Sequence, residues 1–225
     1  MDALIFDFDG VVVDSEPVHC ATFQQVLRTR GVEMSREDYY CRYLGFDDHD
    51  CFLHAGADAG TRFSEDEIAR MTAEKTVLVQ QAFAESIQPL RGAVELIASA
   101  ASRGVPVGVC SGALKGEIEL ASRTVGALGH FTTIVSAEEV PAGKPDPSGY
   151  RMTLERLARL TGRPLRADRS VVVEDAPAGI QAAKGAGMRV LAVANSYTRD
   201  ELAQADRIVA SLAEVTVDDL ERLIG

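Results

Sequence analysis

Two carboxylates, Asp7 and Asp9, stand two residues apart at the end of an apolar run near the start of the chain. Residues i and i+2 of a strand point to the same side, so both groups can converge on one site where the strand ends. Carboxylates this close repel each other unless a proton or a cation lies between them. Mg²⁺ prefers oxygen ligands and is the natural counter-ion. The alternative is that both residues simply end the strand and face water.

Two later segments carry groups suited to holding an anion. Ser111 and Gly112 follow an apolar run and supply a hydroxyl and a small residue, beside which backbone N–H groups can approach a phosphate oxygen closely. Lys144 lies between Gly143 and Pro145 in a stiff loop that suits an ammonium aimed at an anion. Taken singly, Ser111 is an ordinary turn residue and Lys144 a solvated lysine.

A fourth apolar run ends in two adjacent carboxylates, Glu174 and Asp175, and small residues follow them. In an open parallel α/β sheet, ligands bind beyond the carboxyl ends of the strands. All four features are expected at that edge. Their joint order along the chain is far more specific than any one of them.

The elements that must position these residues alternate between strand and helix. Buried strands are predicted at Ala3–Phe8, Val105–Cys110, Thr133–Ser136, Ser170–Val173 and Val190–Val193, with a weaker one at Arg207–Val209. The runs are continuous, as expected when helices cover both faces of a parallel sheet. Helical spacing is found at Val94–Arg103, Glu117–Val125, Tyr150–Leu160, Ala178–Ala186 and Thr198–Ala205. The pattern predicts a doubly wound parallel α/β domain formed by residues 1–14 and 88–225.

Residues 15–87 break this alternation and predict an inserted all-helical domain. Helices are expected at Pro17–Arg30 and from a capping-box-like start at Ser64 through Phe83. Ser35–Arg42 is a weaker helix. Leu44–Gly60 is rich in Asp, His and Gly, and is interpreted as a loop or broken helix.

Composition limits the partners and the compartment. The chain of 225 residues carries 34 Asp and Glu against 23 Lys and Arg, a net charge of -11, which argues against nucleic acid or an anionic membrane surface as a main partner. No apolar run approaches the roughly 20 residues of a membrane helix. The four cysteines show no metal-like spacing and are expected to be reduced, mostly packed thiols. With no secretory pattern at the N-terminus, these features favour a cytoplasmic protein.

These motifs resemble those of the haloacid dehalogenase (HAD) superfamily, in the branch that contains β-phosphoglucomutase and small sugar-phosphate phosphatases. The resemblance spans nearly the whole chain. It is carried by IFDFDGVVVDSEPVH at the start, by GKPDP in the middle and by VVVEDAPAGIQAAKGAGM near the end. The helical insert stands where that branch carries a small cap domain.

The resemblance implies a role for each matching residue. Asp7 would be the nucleophile and Asp9 the general acid and base, while Ser111 and Lys144 would bind the phosphoryl group. Mg²⁺ would be held by the Asp7 side chain, the Asp9 backbone carbonyl and Asp175, with Glu174 supporting it directly or through water. The remaining expected substrate-binding residues are Gly10, Gly112, His19 and Lys75.

The expected function is a Mg²⁺-dependent phosphatase that acts on a small phosphomonoester, a sugar phosphate, as a monomer. One alternative is a hexose-phosphate mutase. Such mutases have basic residues in the cap loop corresponding to residues 44–50, where this chain has Leu44, Asp47 and Asp48. A second alternative is a catalytically idle binding protein of this fold. It predicts the loss of a core motif residue, and none is missing.

Overall fold

The computed structural model describes all 225 residues, which form two compact units. One unit consists of residues 1–14 and 87–225, and the other of residues 15–86. The second unit is therefore an insertion between the first strand and the rest of the first unit.

The first unit is built on a six-stranded sheet in which every pairing is parallel. The strands run in the spatial order β3-β2-β1-β4-β5-β6. Their bounds are Ala3–Phe6 (β1), Val107–Cys110 (β2), Thr133–Val135 (β3), Ser170–Glu174 (β4), Arg189–Val193 (β5) and Arg207–Val209 (β6). All residues of β1, β2 and β4 are buried, as continuous apolar runs in a covered parallel sheet require. The prediction of a doubly wound sheet is confirmed.

Helices cover the sheet through their apolar faces. They are Ala93–Ser102 (α5), Lys115–Thr124 (α6), Ser148–Thr161 (α7), Pro177–Gly185 (α8) and Val217–Glu221 (α9), with single 3₁₀ turns at Leu128–His130, Ala137–Glu139, Ala167–Arg169 and Leu212–Glu214. Tyr150 and Leu157 of α7 and Ile180 of α8 pack in one cluster with Ile5 and Val172 of the central strands. This core anchors the strand ends from which the polar motifs emerge.

The helical unit has its own core. It contains Glu16–Arg28 (α1), Arg36–Asp38 (α2) with a π-helical turn at Tyr39–Tyr43, Asp48–Asp58 (α3) and Glu65–Ser86 (α4). Phe23 packs edge-on against Phe52 at 5.0 Å between ring centroids, and Ile68 and Met71 of α4 complete the same cluster. The Ser35 capping box with Asp38 begins the second helix at its predicted position.

Two predictions about helices were wrong. The segment Leu44–Gly60, interpreted as a loop or broken helix, contains the regular helix α3, because the Asp47 side chain accepts the Asp50 N–H at 2.8 Å and caps it. Thr198–Ala205, predicted as a helix, forms turns: one α-type bond joins Leu202 N–H to the Thr198 carbonyl, and the next bonds are i to i+3.

The first strand ends at Phe6, two residues earlier than predicted. Asp7 still donates its backbone N–H to the Val173 carbonyl at 2.9 Å, so the pairing with β4 continues up to the first carboxylate. All four cysteines are free thiols, and only Cys41 among them is exposed. None of the helices is long and apolar enough to cross a membrane.

Candidate active site

The candidate site lies at the carboxyl end of the sheet, where the strand order reverses. β1 has β2 on one side and β4 on the other, so the chain continues outward in both directions from β1. Ligands of doubly wound sheets bind at such a switch point. Asp7 follows β1, and Glu174 and Asp175 lie at the end of β4.

A buried ammonium joins two of these carboxylates. Lys144 Nζ donates to Asp7 Oδ1 at 2.6 Å and to Glu174 Oε1 at 2.7 Å. Burial alone would lower the pKa of Lys144, but the two carboxylates outweigh it and raise that pKa well above its ordinary value. Burial raises the pKa of Asp7 well above its ordinary value, and Lys144 opposes this shift. The lysine is therefore a permanent positive charge beside a carboxylate that needs a cation.

Glu174 is fully buried, and both of its oxygens accept hydrogen bonds. Oε1 accepts from Lys144 and from the Tyr150 hydroxyl at 2.8 Å, and Oε2 accepts the backbone N–H groups of Asp175 and Ala176 at 2.9 and 3.0 Å. A Cβ at Gly179 would lie 1.6 Å from Oε1, so only glycine allows the start of α8 to approach this carboxylate so closely. Glu174 is held rigidly from three directions.

Asp175 faces a different set of neighbours. Its Oδ2 accepts the Ser196 hydroxyl at 2.5 Å, and burial, followed by the Glu174 charge, raises its pKa to about 7. Gly10 lies directly against this carboxylate with φ +73, and a Cβ there would be 2.1 Å from Asp175 Oδ2. The Gly10 carbonyl accepts the Asn195 side-chain amide at 2.9 Å. A glycine at position 10 is thus required both by its backbone angle and by space.

Asp9 reaches the site through a turn rather than through strand alternation. The backbone N–H groups of Val11, Val12 and Val13 all bond to the Phe8 carbonyl and fold the chain back after β1. Ser111 Oγ donates to Asp9 Oδ2 at 3.4 Å and accepts the Ala113 N–H at 2.9 Å. The structure therefore brings the second carboxylate of the DxD pair next to the serine that follows β2.

A cavity of about 110 Å³ adjoins Lys144 in this unit. Its walls include Ser111, Gly112, Gly143, Lys144 and Tyr150. Gly112 is exposed, and a Cβ there would meet nothing within 4 Å, so its glycine character is not required by packing.

The carboxylates fit a hard divalent cation. One oxygen each from Asp7, Glu174 and Asp175 lie within 4.8 Å of one another, and all three residues are buried. Burial, with a smaller contribution from the neighbouring carboxylates, raises the pKa of Asp7 and of Asp175, so their charged forms are disfavoured unless a cation compensates them. An all-oxygen donor set suits Mg²⁺ better than a softer metal.

His19 and Lys75 belong to the helical unit, where they contact each other. Lys75 is only 3% exposed; its Nζ lies 3.2 Å from His19 Nδ1, donates to Asp48 Oδ1 at 2.6 Å and stands 4.2 Å from the centre of the Phe23 ring. Lys75 is therefore a buried, paired lysine and not a solvated one. Its charge is compensated by Asp48, from the helix α3 that was not predicted.

Sequence reasoning did not select three residues that contact this machinery, namely Tyr150, Ser196 and Asp48. Ser196 follows β5, so the rule about strand ends that selected the other residues applies to it as well. Tyr150 lies in α7, six residues after Lys144, and no local signal separates it from a core aromatic. Asp48 was noted for its charge, but its pairing depends on the packing of α3 beside α4.

Comparison with known proteins agrees with this architecture. The family model for haloacid dehalogenase-like hydrolases matches residues 4–193. The chain belongs to this family. It is 30% identical to a validoxylamine A 7'-phosphate phosphatase from Streptomyces hygroscopicus subsp. limoneus over 94% of each chain. It is 32% identical to hexitol phosphatase A from Escherichia coli over 95% of this chain and 92% of the relative.

Solved structures of the family share the fold. CbbY from Rhodobacter sphaeroides in complex with phosphate superimposes with a TM-score of 0.85 at 27% identity, covering 98% of this chain and 99% of the other. A mutant of that protein has been solved with xylulose-(1,5)bisphosphate. The family therefore includes named phosphatases and a member of the same fold that holds phosphate.

Proposed function

We propose that this protein is a Mg²⁺-dependent phosphatase that hydrolyses a small phosphomonoester, a sugar phosphate, through an aspartyl-phosphate at Asp7. The observation that carries the proposal is the buried Lys144 ammonium between Asp7 and Glu174, in the wall of a cavity that it shares with Ser111, which contacts Asp9. A fixed cation next to a carboxylate at the switch point suits the transfer of an anionic group.

In the first half-reaction an Asp7 carboxylate oxygen attacks phosphorus and the bond from phosphorus to the sugar oxygen breaks. Asp9, in its protonated form, gives its proton to the departing oxygen. In the second half-reaction Asp9 takes a proton from water, the water oxygen attacks phosphorus, and the bond to Asp7 breaks. Inorganic phosphate and the free sugar are the products, and both aspartates return to their starting state.

Lys144 and Ser111 would hold the phosphoryl oxygens during both steps. The ammonium has three N–H groups and uses two of them on Asp7 and Glu174, so a third can point to the substrate. The Ser111 hydroxyl contacts Asp9 at 3.4 Å and has a single O–H, so it would turn from Asp9 to donate to a phosphoryl oxygen. Fixed donors of this kind stabilise the charge that accumulates in the transition state.

We assign the metal to Asp7, Asp175 and the Asp9 backbone carbonyl. Bound Mg²⁺ would supply the charge that lets an anionic nucleophile approach an anionic substrate. Glu174 is not assigned as a metal ligand, because both of its oxygens already accept hydrogen bonds from Lys144, Tyr150 and backbone N–H groups. It supports the site by holding Lys144.

Substrate choice is assigned to the helical unit, which we infer is the cap of the enzyme. Two of the basic side chains there are already paired with acids, Lys75 with Asp48 at 2.6 Å and Arg42 with Asp58 at 2.5 Å. A second phosphate would meet compensated cations and the further acids Asp47 and Asp50. This favours a monophosphorylated substrate and water as the acceptor.

The mutase remains the second candidate, and the contact between His19 and Lys75 is the observation that favours it. The two functions differ in the fate of the phosphoryl group. The enzyme should be incubated with Mg²⁺, β-glucose 1-phosphate and a trace of the 1,6-bisphosphate. We expect free phosphate to exceed glucose 6-phosphate, and rapid conversion to glucose 6-phosphate with little phosphate released would favour the mutase.

The nucleophile is tested by Asp7→Asn, because the amide has nearly the same shape but is a poor nucleophile and metal ligand. We expect no turnover of any sugar phosphate in a panel that the wild-type protein hydrolyses, with the fold retained. Asp168→Asn is the matched control, since Asp168 forms an exposed ion pair with Arg166. Appreciable activity in a folded Asp7→Asn variant would contradict the assignment.

A further inference from the structure

Tyr150 is a buried tyrosine whose hydroxyl donates a hydrogen bond to a carboxylate of the candidate site. It is 0% exposed, its hydroxyl donates to Glu174 Oε1 at 2.8 Å, and its ring centre lies 5.2 Å from Lys144 Nζ. A buried tyrosine needs a hydrogen-bond partner, but a backbone carbonyl would serve a merely structural role equally well. The partner here is the same oxygen that holds the phosphate-binding lysine.

The donors around Glu174 differ in how firmly they hold it. Oε2 is fixed by the backbone N–H groups of Asp175 and Ala176, which connect β4 to α8. Oε1 is shared between Tyr150 and Lys144, whose Nζ also contacts Asp7. Tyr150 is therefore the side chain on Oε1 whose hydroxyl donates to no other group of the site.

The ammonium must do two things that conflict. It must give an N–H to a phosphoryl oxygen, and it must not bind Asp7 so tightly that the nucleophile is blocked. A neutral donor on Oε1 spreads the charge of Glu174 over two partners and weakens its hold on the lysine. The tyrosine ring, close to Nζ, also restricts the directions in which the ammonium can point.

We propose that Tyr150 is a positioning residue for phosphoryl binding, which acts by anchoring Glu174 and thereby directing Lys144. This rests on the proposed function, because it takes Lys144 to be the group that binds the phosphoryl oxygens. Tyr150 itself does not touch the reacting atoms.

The test is Tyr150→Phe, which keeps the ring and removes only the hydroxyl. Tyr39→Phe is the matched control, since Tyr39 is also buried and donates to the Glu16 carboxylate at 2.5 Å, in the helical unit. For the Mg²⁺-loaded proteins we would measure the Kd of inorganic phosphate by calorimetry, together with kcat and KM on the best sugar phosphate. The Kd of Mg²⁺ alone and the melting temperature complete the set.

We expect Tyr150→Phe to weaken phosphate binding about tenfold and to raise KM by a similar factor, with a smaller change in kcat. The Kd of Mg²⁺ should stay within about twofold, because Tyr150 contacts neither Asp7 nor Asp175. Tyr39→Phe should leave all these constants unchanged. In a Lys144→Met background, removing the Tyr150 hydroxyl should have no further effect on phosphate binding.

Several outcomes would overturn the proposal. One is a phosphate Kd in Tyr150→Phe equal to that of the wild type, and another is an equal loss of phosphate affinity in Tyr39→Phe. The others are a further loss of phosphate affinity when the Tyr150 hydroxyl is removed in the Lys144→Met background, and failure of Tyr150→Phe to fold. Failure of the proposed function looks different. A wild-type protein that binds phosphate but releases none from any sugar phosphate would refute the phosphatase and leave the role of Tyr150 intact.

Discussion

Replacing Lys144 by Met should abolish activity while strengthening the binding of Mg²⁺. Methionine keeps the unbranched stem and removes the ammonium that contacts Asp7 and Glu174 at 2.6 and 2.7 Å. A cation bound by Asp7 has to compete with that ammonium for the same carboxylate. Removing the competitor leaves the acidic cluster more negative by one charge.

The size of the effect follows from the ion-pair distance. At an effective dielectric constant of about 20, unit charges 2.6 Å apart attract each other by about 6 kcal/mol. Asp7 has two oxygens and can serve lysine and metal together, so we take about a third of this energy, ~2 kcal/mol, as the cost of competition. That corresponds to Mg²⁺ binding about thirtyfold tighter in the variant, at 1.4 kcal/mol per factor of ten. The loss of a fixed donor to the transferred group should lower kcat/KM about a thousandfold.

The assay is a calorimetric titration of Mg²⁺ into each metal-free protein at constant pH, with phosphate release measured in parallel. Lys184→Met is the control, because Lys184 also pairs with a carboxylate, Asp206 at 2.5 Å, outside the candidate site. It should change neither quantity. Unchanged or weaker Mg²⁺ binding in Lys144→Met would refute the competition between ammonium and metal, and retained activity would refute the role of Lys144 in phosphoryl binding.

Three further predictions concern charge and space. In the metal-free protein, burial and then the Glu174 charge raise the pKa of Asp175 from 3.8 to about 7. Between these two pKa values the native state therefore binds a proton that the unfolded chain has lost. The free energy of unfolding, measured by urea denaturation with EDTA, should fall as the pH rises from about 4 to 7, and saturating Mg²⁺ should remove this pH dependence. Asp48→Asn should leave the positive charge of Lys75 uncompensated. It should therefore lower the ratio of the KM for a sugar bisphosphate to the KM for the monophosphate about tenfold, and an unchanged ratio would argue against this role. Gly179→Ala should displace Glu174 and reduce kcat/KM about a hundredfold, whereas Gly116→Ala, where a Cβ meets nothing within 4 Å, should be nearly neutral.

Much of the architecture could be predicted because its signals are local. Continuous apolar runs identified all six strands, including the weak one at Arg207–Val209, and the capping residue Ser64 marked the start of α4. The meeting of Asp7 and Glu174 also followed, since parallel strands place their carboxyl ends at one edge, whereas Lys144 reaches them from the loop before α7.

The errors arose where tertiary context decided the outcome. The segment of α3 looked like a loop because Asp, His and Gly have weak helix propensity, yet its capping aspartate and the burial of Cys51 and Phe52 stabilise a helix. The segment Thr198–Ala205 has helical spacing, but a single i to i+4 hydrogen bond forms there and i to i+3 bonds make turns of the rest.

The sequence by itself determined the positions along the chain of the groups that can do chemistry. The carboxylates and the Ser111 hydroxyl follow strands that the hydrophobic pattern reveals, and Lys144 lies between a glycine and a proline in the loop before α7. Only the tertiary structure decided which of these groups are paired. Glu174 faces Tyr150 and Lys144, Asp175 faces Ser196, and Lys75 is neutralised by Asp48. Ion pairs and hydrogen bonds between distant residues depend on side-chain distances within about 3 Å, and those distances are set by how helices pack on the sheet and on each other.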